Sequence, residues 1–276
     1  MDKLSLMREG GAKLGRILRE LLAKAQPGVS LLTIESRAQE LIREAGGEAS
    51  FQTVKCYRWA TCLCVNDVVV HGIPTPYVLN DDDLLTIDVG LLYKGFHTDT
   101  AWTKIIEDQG APLSLRDRSD GEAISRGSPR RPPAGGLPRD DKLRFLKTGE
   151  EALWKAVMEA RAGNRIGYIS RAIQTVIEGG GYGIVKSLVG HGVGRQLHEK
   201  PQIPGFLKGP VESTPVLTAG MTIAVEVIYA AGKGEVVYTN DDGWSIATRD
   251  GSPAAVFEHT ILVTEGEPEI LTKPVN

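Results

Sequence analysis

Four acidic residues stand where strands should be apolar. Asp88 ends the apolar run 84–87, Asp99 lies inside the strand-like stretch 96–103, Glu226 follows the apolar run 221–225, and Glu258 interrupts 256–263. A carboxylate in such a place is costly unless it is paired or hydrogen-bonded. One acid of this kind is commonly a structural hydrogen-bonding partner; four of them in one chain ask for cations. His191 joins them as a nitrogen donor, set in Gly190-His191-Gly192-Val193-Gly194, where glycines let backbone and ligand come close. The charges of Asp88, Asp99, Glu226 and Glu258 sum to −4, which two divalent cations balance and a neutral imidazole leaves unchanged. Carboxylates with one imidazole suit Mn²⁺, Fe²⁺ or Co²⁺ and do not exclude Zn²⁺. Two such ions roughly 3.5–4 Å apart activate water for hydrolysis. The arithmetic permits a dinuclear hydrolase and does not choose its substrate.

The elements that must position these groups follow from pattern. Residues 84–103 read as strand, turn, strand, with Tyr93-Lys94-Gly95 as the turn. A hairpin centred on Tyr93-Lys94 puts Asp88 and Asp99 directly opposite, roughly 5 Å apart, where like charges repel. A register one position away leaves them diagonal neighbours, and two solvated surface aspartates are the alternative. Helical spacing predicts helices over 3–26, 31–45 and 142–162, with Ser30 or Thr33 as N-cap of the second. Residues 50–70 read as strands leading into His71-Gly72-Ile73-Pro74. The stretch 163–177 echoes 28–42 at an offset of 135, and 222–226 echoes 86–89. Two similar halves related by a pseudo-twofold are expected, an α+β fold with helices covering one face of a curved antiparallel sheet.

Composition bounds the rest. The 276 residues carry 41% hydrophobic and 24% charged side chains, globular values, and a net charge of −3 makes no case for DNA or an anionic membrane. No run approaches a membrane span, and the N-terminal stretch lacks the apolar core of a signal peptide. Cys56, Cys62 and Cys64, an odd number close together, fit a reduced, cytoplasmic protein better than a disulfide framework. Cys62 and Cys64 share a strand face; a structural role is expected over metal binding, because no second pair stands at zinc-site spacing. Residues 107–141 hold five Pro, five Gly, four Ser, seven acids and six Arg, and are expected to be a disordered insert dispensable for chemistry. His97 shares a face with Asp99 and is expected behind the ligands or in the core, and His259, beside Glu258, on the opposite face.

The motifs HGIP at 71–74, IDVG and GFHTDTA within 87–101, GHGVGRQLHEKP at 190–201, IAVEV at 223–227 and FEHTI at 257–261 together resemble type I methionine aminopeptidase of the bacterial kind. The resemblance covers nearly the whole chain outside 107–141 and implies one metallopeptidase domain with the pita-bread fold. It implies two divalent metal ions (Co, Mn, Fe, Zn or Ni) held by Asp88, Asp99, His191, Glu226 and Glu258, with Asp99 and Glu258 bridging. It implies substrate contacts from His71 near the new amine and His198 near the scissile carbonyl, and a methionine pocket of Tyr57, Cys62, Leu197 and Trp244. Where the family often has a second aromatic three residues before Tyr57, this chain has Val54. The implied activity is removal of the initiator methionine from nascent chains with a small second residue, by a cytoplasmic monomer that meets its substrates at the ribosome. Prolidase and X-Pro aminopeptidase share the fold and the five ligands but usually carry a large N-terminal domain, against 70 residues before His71 here. Non-catalytic peptide-binding members of the fold lack a ligand, and none is missing in this chain.

Overall fold

The computed structural model describes residues 2–107 and 137–273. In chain order its elements are α1 (Lys3–Lys24), α2 (Leu31–Glu44), β1 (Glu48–Ala49), β2 (Thr61–Val65), β3 (Val68–Val70), β4 (Leu84–Tyr93) and β5 (Phe96–Ile105). Then come α3 (Arg139–Met158), α4 (Ile166–Gly179), β6 (Gly183–Ile184), β7 (Val189–Gly192), β8 (Glu199–Pro204) and β9 (Thr222–Ala230). The chain closes with β10 (Val236–Tyr238), β11 (Ile246–Thr248), β12 (Ala254–Leu262) and β13 (Glu269–Ile270). The main sheet runs β1-β4-β5-β12-β9-β7-β8, with β2 on β4, β6 on β9 and β13 on β12; β10-β11-β3 form a small second sheet. Every strand pair in both is antiparallel.

Strand alternation assigns each face. Ile87 pairs with Trp102 across β4 and β5, Phe257 pairs with Val227 across β12 and β9, and the Trp102 and Phe257 rings meet edge to face at 4.9 Å. This row faces the helices, α1 and α2 over β4, α3 and α4 over β9 and β12. Ile87, Val227 and Phe257 are fully buried, each stabilising the fold by roughly 1.5–3 kcal/mol, and Trp102 is half-buried beside them. The next residue along each strand must point to the opposite face, so the helix-side core leaves no choice of register for the acids.

The internal echo is structural. Adding 135 to the bounds of α2 gives the bounds of α4, 166 and 179, and the glycines that precede the two helices, Gly28 and Gly163, both hold φ of +85°. Ser30 caps α2 by accepting the Thr33 N–H at 3.2 Å, which decides between the two candidate caps.

Three sequence expectations are corrected. The hairpin turn is centred on Lys94-Gly95, between the paired Tyr93 and Phe96, so Asp99 lies opposite Gly90 and Asp88 opposite Ala101. Both turn residues have positive φ, +49° and +86°, as a two-residue turn matched to strand twist requires, and Gly95 takes its second position. The two aspartates are diagonal neighbours. Residues 50–60 are not strand: Ser50–Thr53 form a short 3-10 helix followed by a loop, because Phe51, Tyr57 and Trp59 converge on one cluster instead of alternating. Helix α3 begins at Arg139, three residues before the expected start, so Arg139, Asp140 and Asp141 leave the insert and join the first turn, where acids favour the helix dipole. The expected disorder of the insert otherwise falls on 108–136, outside the described residues.

Candidate active site

Asp88, Ala101, Glu258 and Glu226 form one row across β4, β5, β12 and β9: Asp88 pairs with Ala101, Ala101 with Glu258, and Glu258 with Glu226. Neighbouring strands are roughly 4.8 Å apart. Ala101 supplies no bulk in the middle of the row, and Asp99, two residues before it on the same face, points into the space it leaves. His191 enters from β7, opposite Ala224 and so one side-chain step from Glu226. Its glycine neighbours are required by this approach. A Cβ on Gly190 would lie 2.5 Å from the Ala224 carbonyl oxygen, and one on Gly192 2.3 Å from that of Lys200. A bulge between His191 and Gly192 aims the ring.

Asp99, His191 and Glu258 each present a donor atom within 4.8 Å of the other two. His191 Nε2 lies 3.3 Å from Glu226 Oε1. His191 Nδ1 is 2.9 Å from the Gly192 carbonyl oxygen, which can only accept, so Nδ1 carries the hydrogen and the Nε2 lone pair faces the acids. Burial, then mutual charge, raises Asp88, Glu226 and Glu258 well above the usual carboxylate range, and burial holds Asp99 up at about 7. Burial lowers His191 to about 4. Asp88 Oδ1 and Glu258 Oε1 are buried and accept no hydrogen bond among the described residues. Four carboxylates short of donors, beside a neutral imidazole with a free lone pair, fit divalent cations.

His71 and His198 stand at the mouth of this cluster, both exposed. His71 has φ of +56°, a left-handed conformation rare outside glycine and concentrated at functional sites. It is held by the next residue: the Gly72 N–H donates to Cys64 Sγ at 3.4 Å and the Leu63 N–H to the Gly72 carbonyl at 2.8 Å. The His198 ring meets that of His191 edge to face at 4.4 Å. Although both residues are exposed at the rim, the protein around each ring desolvates it and lowers its pKa, and for His71 the charge of His198 adds to it, so near neutral pH they are uncharged hydrogen-bonding groups.

A cavity of about 160 Å³ opens beside the acids, walled by Phe51, Tyr57, Cys62, Leu197 and Trp244. That is the size of a site that takes a benzene-sized ligand, roughly 150 Å³. Tyr57 packs edge to face on Trp244 at 5.0 Å and on Trp59 at 5.4 Å. Its hydroxyl donates to the Thr61 carbonyl at 2.9 Å and lies 3.2 Å from Cys62 Sγ. Burial raises both buried thiols, Cys62 well above its usual value and Cys64 to about 12, so they line the cavity as neutral groups.

This wall is anchored from behind. Glu35, buried on α2, accepts the Ala60 N–H at 2.7 Å, the Thr61 N–H at 3.1 Å, the Thr61 hydroxyl at 2.6 Å and the Gln39 amide at 2.7 Å. Glu35→Ala strands these donors and is expected to lower stability by about 2–3 kcal/mol, read as a lower denaturant midpoint with unchanged slope. A Glu35→Ala midpoint within error of wild type would contradict this.

All eleven residues singled out from the sequence, Tyr57, Cys62, His71, Asp88, Asp99, His191, Leu197, His198, Glu226, Trp244 and Glu258, line this one cavity. His97 does not; it is buried with Nδ1 at 2.9 Å from Ser50 Oγ. His259 lies on the helix side, Nδ1 3.0 Å from Thr272 Oγ1, between the rings of Trp102 and Trp154. Sequence reasoning missed Phe51, which lines the cavity along with Val54, and also Cys64, Val70 and Val256. Phe51 and Trp59 give the cluster its further aromatic faces; the density of aromatics in 51–59 was the available signal.

Comparison with known proteins agrees with this geometry. The profile of metallopeptidase family M24 matches residues 5–118 and 132–265. Methionine aminopeptidase 1 of Bacillus subtilis is 37% identical over 271 residues, covering 98% of this chain and 96% of its own. Methionine aminopeptidase 1 of Mycobacterium tuberculosis is 35% identical, covering 98% and 92%. The crystal structure of methionine aminopeptidase from Thermotoga maritima superposes with a TM-score of 0.84 at 33% identity, covering 98% and 96%. A Xaa-Pro dipeptidase from Bacillus anthracis, at 20% identity and a TM-score of 0.71, covers 61% of its own chain and shares the fold.

Proposed function

Since this chain belongs to metallopeptidase family M24, and is therefore a metal-dependent hydrolase of pita-bread fold, we propose that it removes the N-terminal methionine from polypeptides whose second residue is small. The observation that carries the reading is the placement of the 160 Å³ cavity, aromatic and thiol-walled, directly against the carboxylate row. An unbranched, polarisable thioether suits such walls. Asp88, Asp99, His191, Glu226 and Glu258 would hold two divalent ions. A divalent cation held there supplies Lewis acidity and a water nucleophile at neutral pH. The chain's own groups do the rest. Tyr57, Cys62, Leu197 and Trp244 seat the first side chain, which places the first peptide bond at the mouth. Neutral His198 donates a hydrogen bond to the scissile carbonyl oxygen as negative charge develops on it. His71, on the same rim, stands beside the departing amine. A carboxylate of the row, ionised once cations are held there, would accept the proton that the water loses. The proposal includes a cytoplasmic monomer acting on nascent chains near the ribosome.

The Xaa-Pro reading rests on the fold alone, because the Xaa-Pro dipeptidase is 20% identical and covered over 61% of its length, whereas the methionine aminopeptidases of Bacillus subtilis and Clostridium perfringens are 37% and 32% identical and covered over 96%. The test is peptide hydrolysis by metal-reconstituted protein. Met-Ala-Ser and Met-Gly-Met-Met should release methionine, while Met-Leu-Ser and Met-Lys-Ser should be cut at least about a hundredfold more slowly. Val70 and Ile228 line the open side of the site beside His71, where the second residue would lie. Comparable rates on Met-Ala-Ser and Met-Leu-Ser, or faster cleavage of X-Pro peptides, would overturn the assignment.

A further inference from the structure

Trp244 reaches the pocket from the connection between β10 and β11, a hairpin closed by the Thr239 N–H donating to the Ser245 carbonyl at 2.8 Å. The connection is conformationally expensive: Asn240, Asp241 and Gly243 all hold positive φ, +65°, +52° and +75°. Its polar backbone is satisfied from within. Asp242 Oδ1 accepts the N–H groups of both Trp244 and Ser245 at 2.7 Å, and Oδ2 accepts the Ser245 hydroxyl at 2.6 Å. Ser245 is buried and leads directly into β11, whose Ile246 pairs with Val70, the residue before His71. The indole packs edge to face on the Tyr57 ring at 5.0 Å. The loop that carries a wall of the cavity is therefore fastened by one carboxylate that touches neither the cavity nor the carboxylate row.

We propose that Asp242 is a positioning residue for substrate selection: it holds Trp244 against Tyr57 and thereby sets the affinity for the first side chain. The inference rests on reading the cavity as a methionine pocket. Loss of the carboxylate frees two backbone donors and lets the positive-φ residues relax, which draws the indole away from Tyr57. Trp244 contacts the side chain and not the reacting bond, so the effect falls on binding and spares the chemical step.

The experiment uses metal-loaded protein, Met-Ala-Ser turnover, and calorimetric binding of L-methionine. Asp242→Ala should raise KM about tenfold with kcat within about threefold, and weaken L-methionine binding in parallel. Asp242→Asn should restore KM to within about threefold of wild type, because the amide oxygen still accepts both N–H groups and the amide nitrogen can donate to Ser245. The double variant Asp242→Ala/Trp244→Ala should bind no more weakly than Trp244→Ala alone, since Asp242 acts through Trp244. Unchanged KM in Asp242→Ala, or full additivity in the double variant, would overturn the inference. If Asp242→Ala does not fold, Ser245→Ala, which removes one of the three donors, should still raise KM in the same direction, and no rise would overturn it. A wild-type protein that neither binds nor releases methionine overturns the pocket reading itself. One that does both while Asp242→Ala is unresponsive overturns only the role of Asp242.

Discussion

Removing divalent metal abolishes methionine release, and returning Co²⁺, Mn²⁺, Fe²⁺, Zn²⁺ or Ni²⁺ restores it. Asp88, Asp99, Glu226 and Glu258 converge on one face of the sheet with two buried oxygens that accept no hydrogen bond among the described residues. No group on the chain replaces the missing Lewis acid. The same geometry sets the stability of the stripped protein. Burial raises the pKa values of all four carboxylates, and neighbouring charge adds to it for Asp88, Glu226 and Glu258, with Asp99 near 7, so the native state keeps protons that the unfolded chain releases above about pH 4. A raised carboxylate contributes stability that is complete below its unfolded pKa and is lost as pH rises through its folded one. The histidines act in the opposite sense. His71, His97, His191, His198 and His259 are lowered by burial, so their contribution is lost as pH falls below about 6.5. Above that pH the raised carboxylates dominate, and towards about pH 8 the raised thiols of Cys62 and Cys64 act in the same sense. The Tm of metal-free protein should therefore fall as pH rises from about 6.5 through 8, and saturating metal should flatten the slope while releasing protons. Full turnover in excess chelator after verified metal removal would sink the metal requirement. A metal-free Tm that rises over this window would show that the carboxylates are ionised in the native state.

His198→Ala lowers kcat on Met-Ala-Ser by about a hundredfold or more while metal content stays at the wild-type level. His198 is exposed at the mouth, and its ring sits 4.4 Å from that of His191. It is uncharged near neutral pH and shares no ion pair with the four acids among the described residues. A donor used only as charge develops on the carbonyl oxygen costs about 10²–10³ in kcat when removed. KM should move little, because the ground-state carbonyl gains less from the contact. His191→Ala is the contrast: it deletes the lone pair that faces Glu226 and should lose metal and activity together. The measurement pairs steady-state kinetics with metal analysis of folded variants. A His198→Ala protein that folds but is empty of metal would falsify the separation of the two histidines.

Local pattern was enough for much of this protein. Which face each long strand turns to the helices was legible in alternation, because a one-residue slip of β4, β9 or β12 would drive a carboxylate under the helices and Ile87, Val227 or Phe257 into the site. The repeat was legible because α2 and α4 bury the same stripe after the same positive-φ glycine, so their sequences keep the same spacing. Which histidine would face the acids was legible in its glycines, since only small neighbours let β7 lie so close to β9 and β8. Three things were decided in space. The turn at Lys94-Gly95 depended on strand twist, which selects two consecutive positive-φ residues, and it moved Asp99 from opposite Asp88 to diagonal. The pairing of Glu258 with Glu226 joined residues 32 positions apart through a sheet order that no local pattern states. The cavity wall drew Phe51 from a short 3-10 helix and Tyr57 and Trp244 from loops without periodicity, and Asp242 and Glu35 fasten those loops through hydrogen bonds to backbone. Backbone donors carry no side-chain identity, and so leave no trace in the sequence of the segments they belong to.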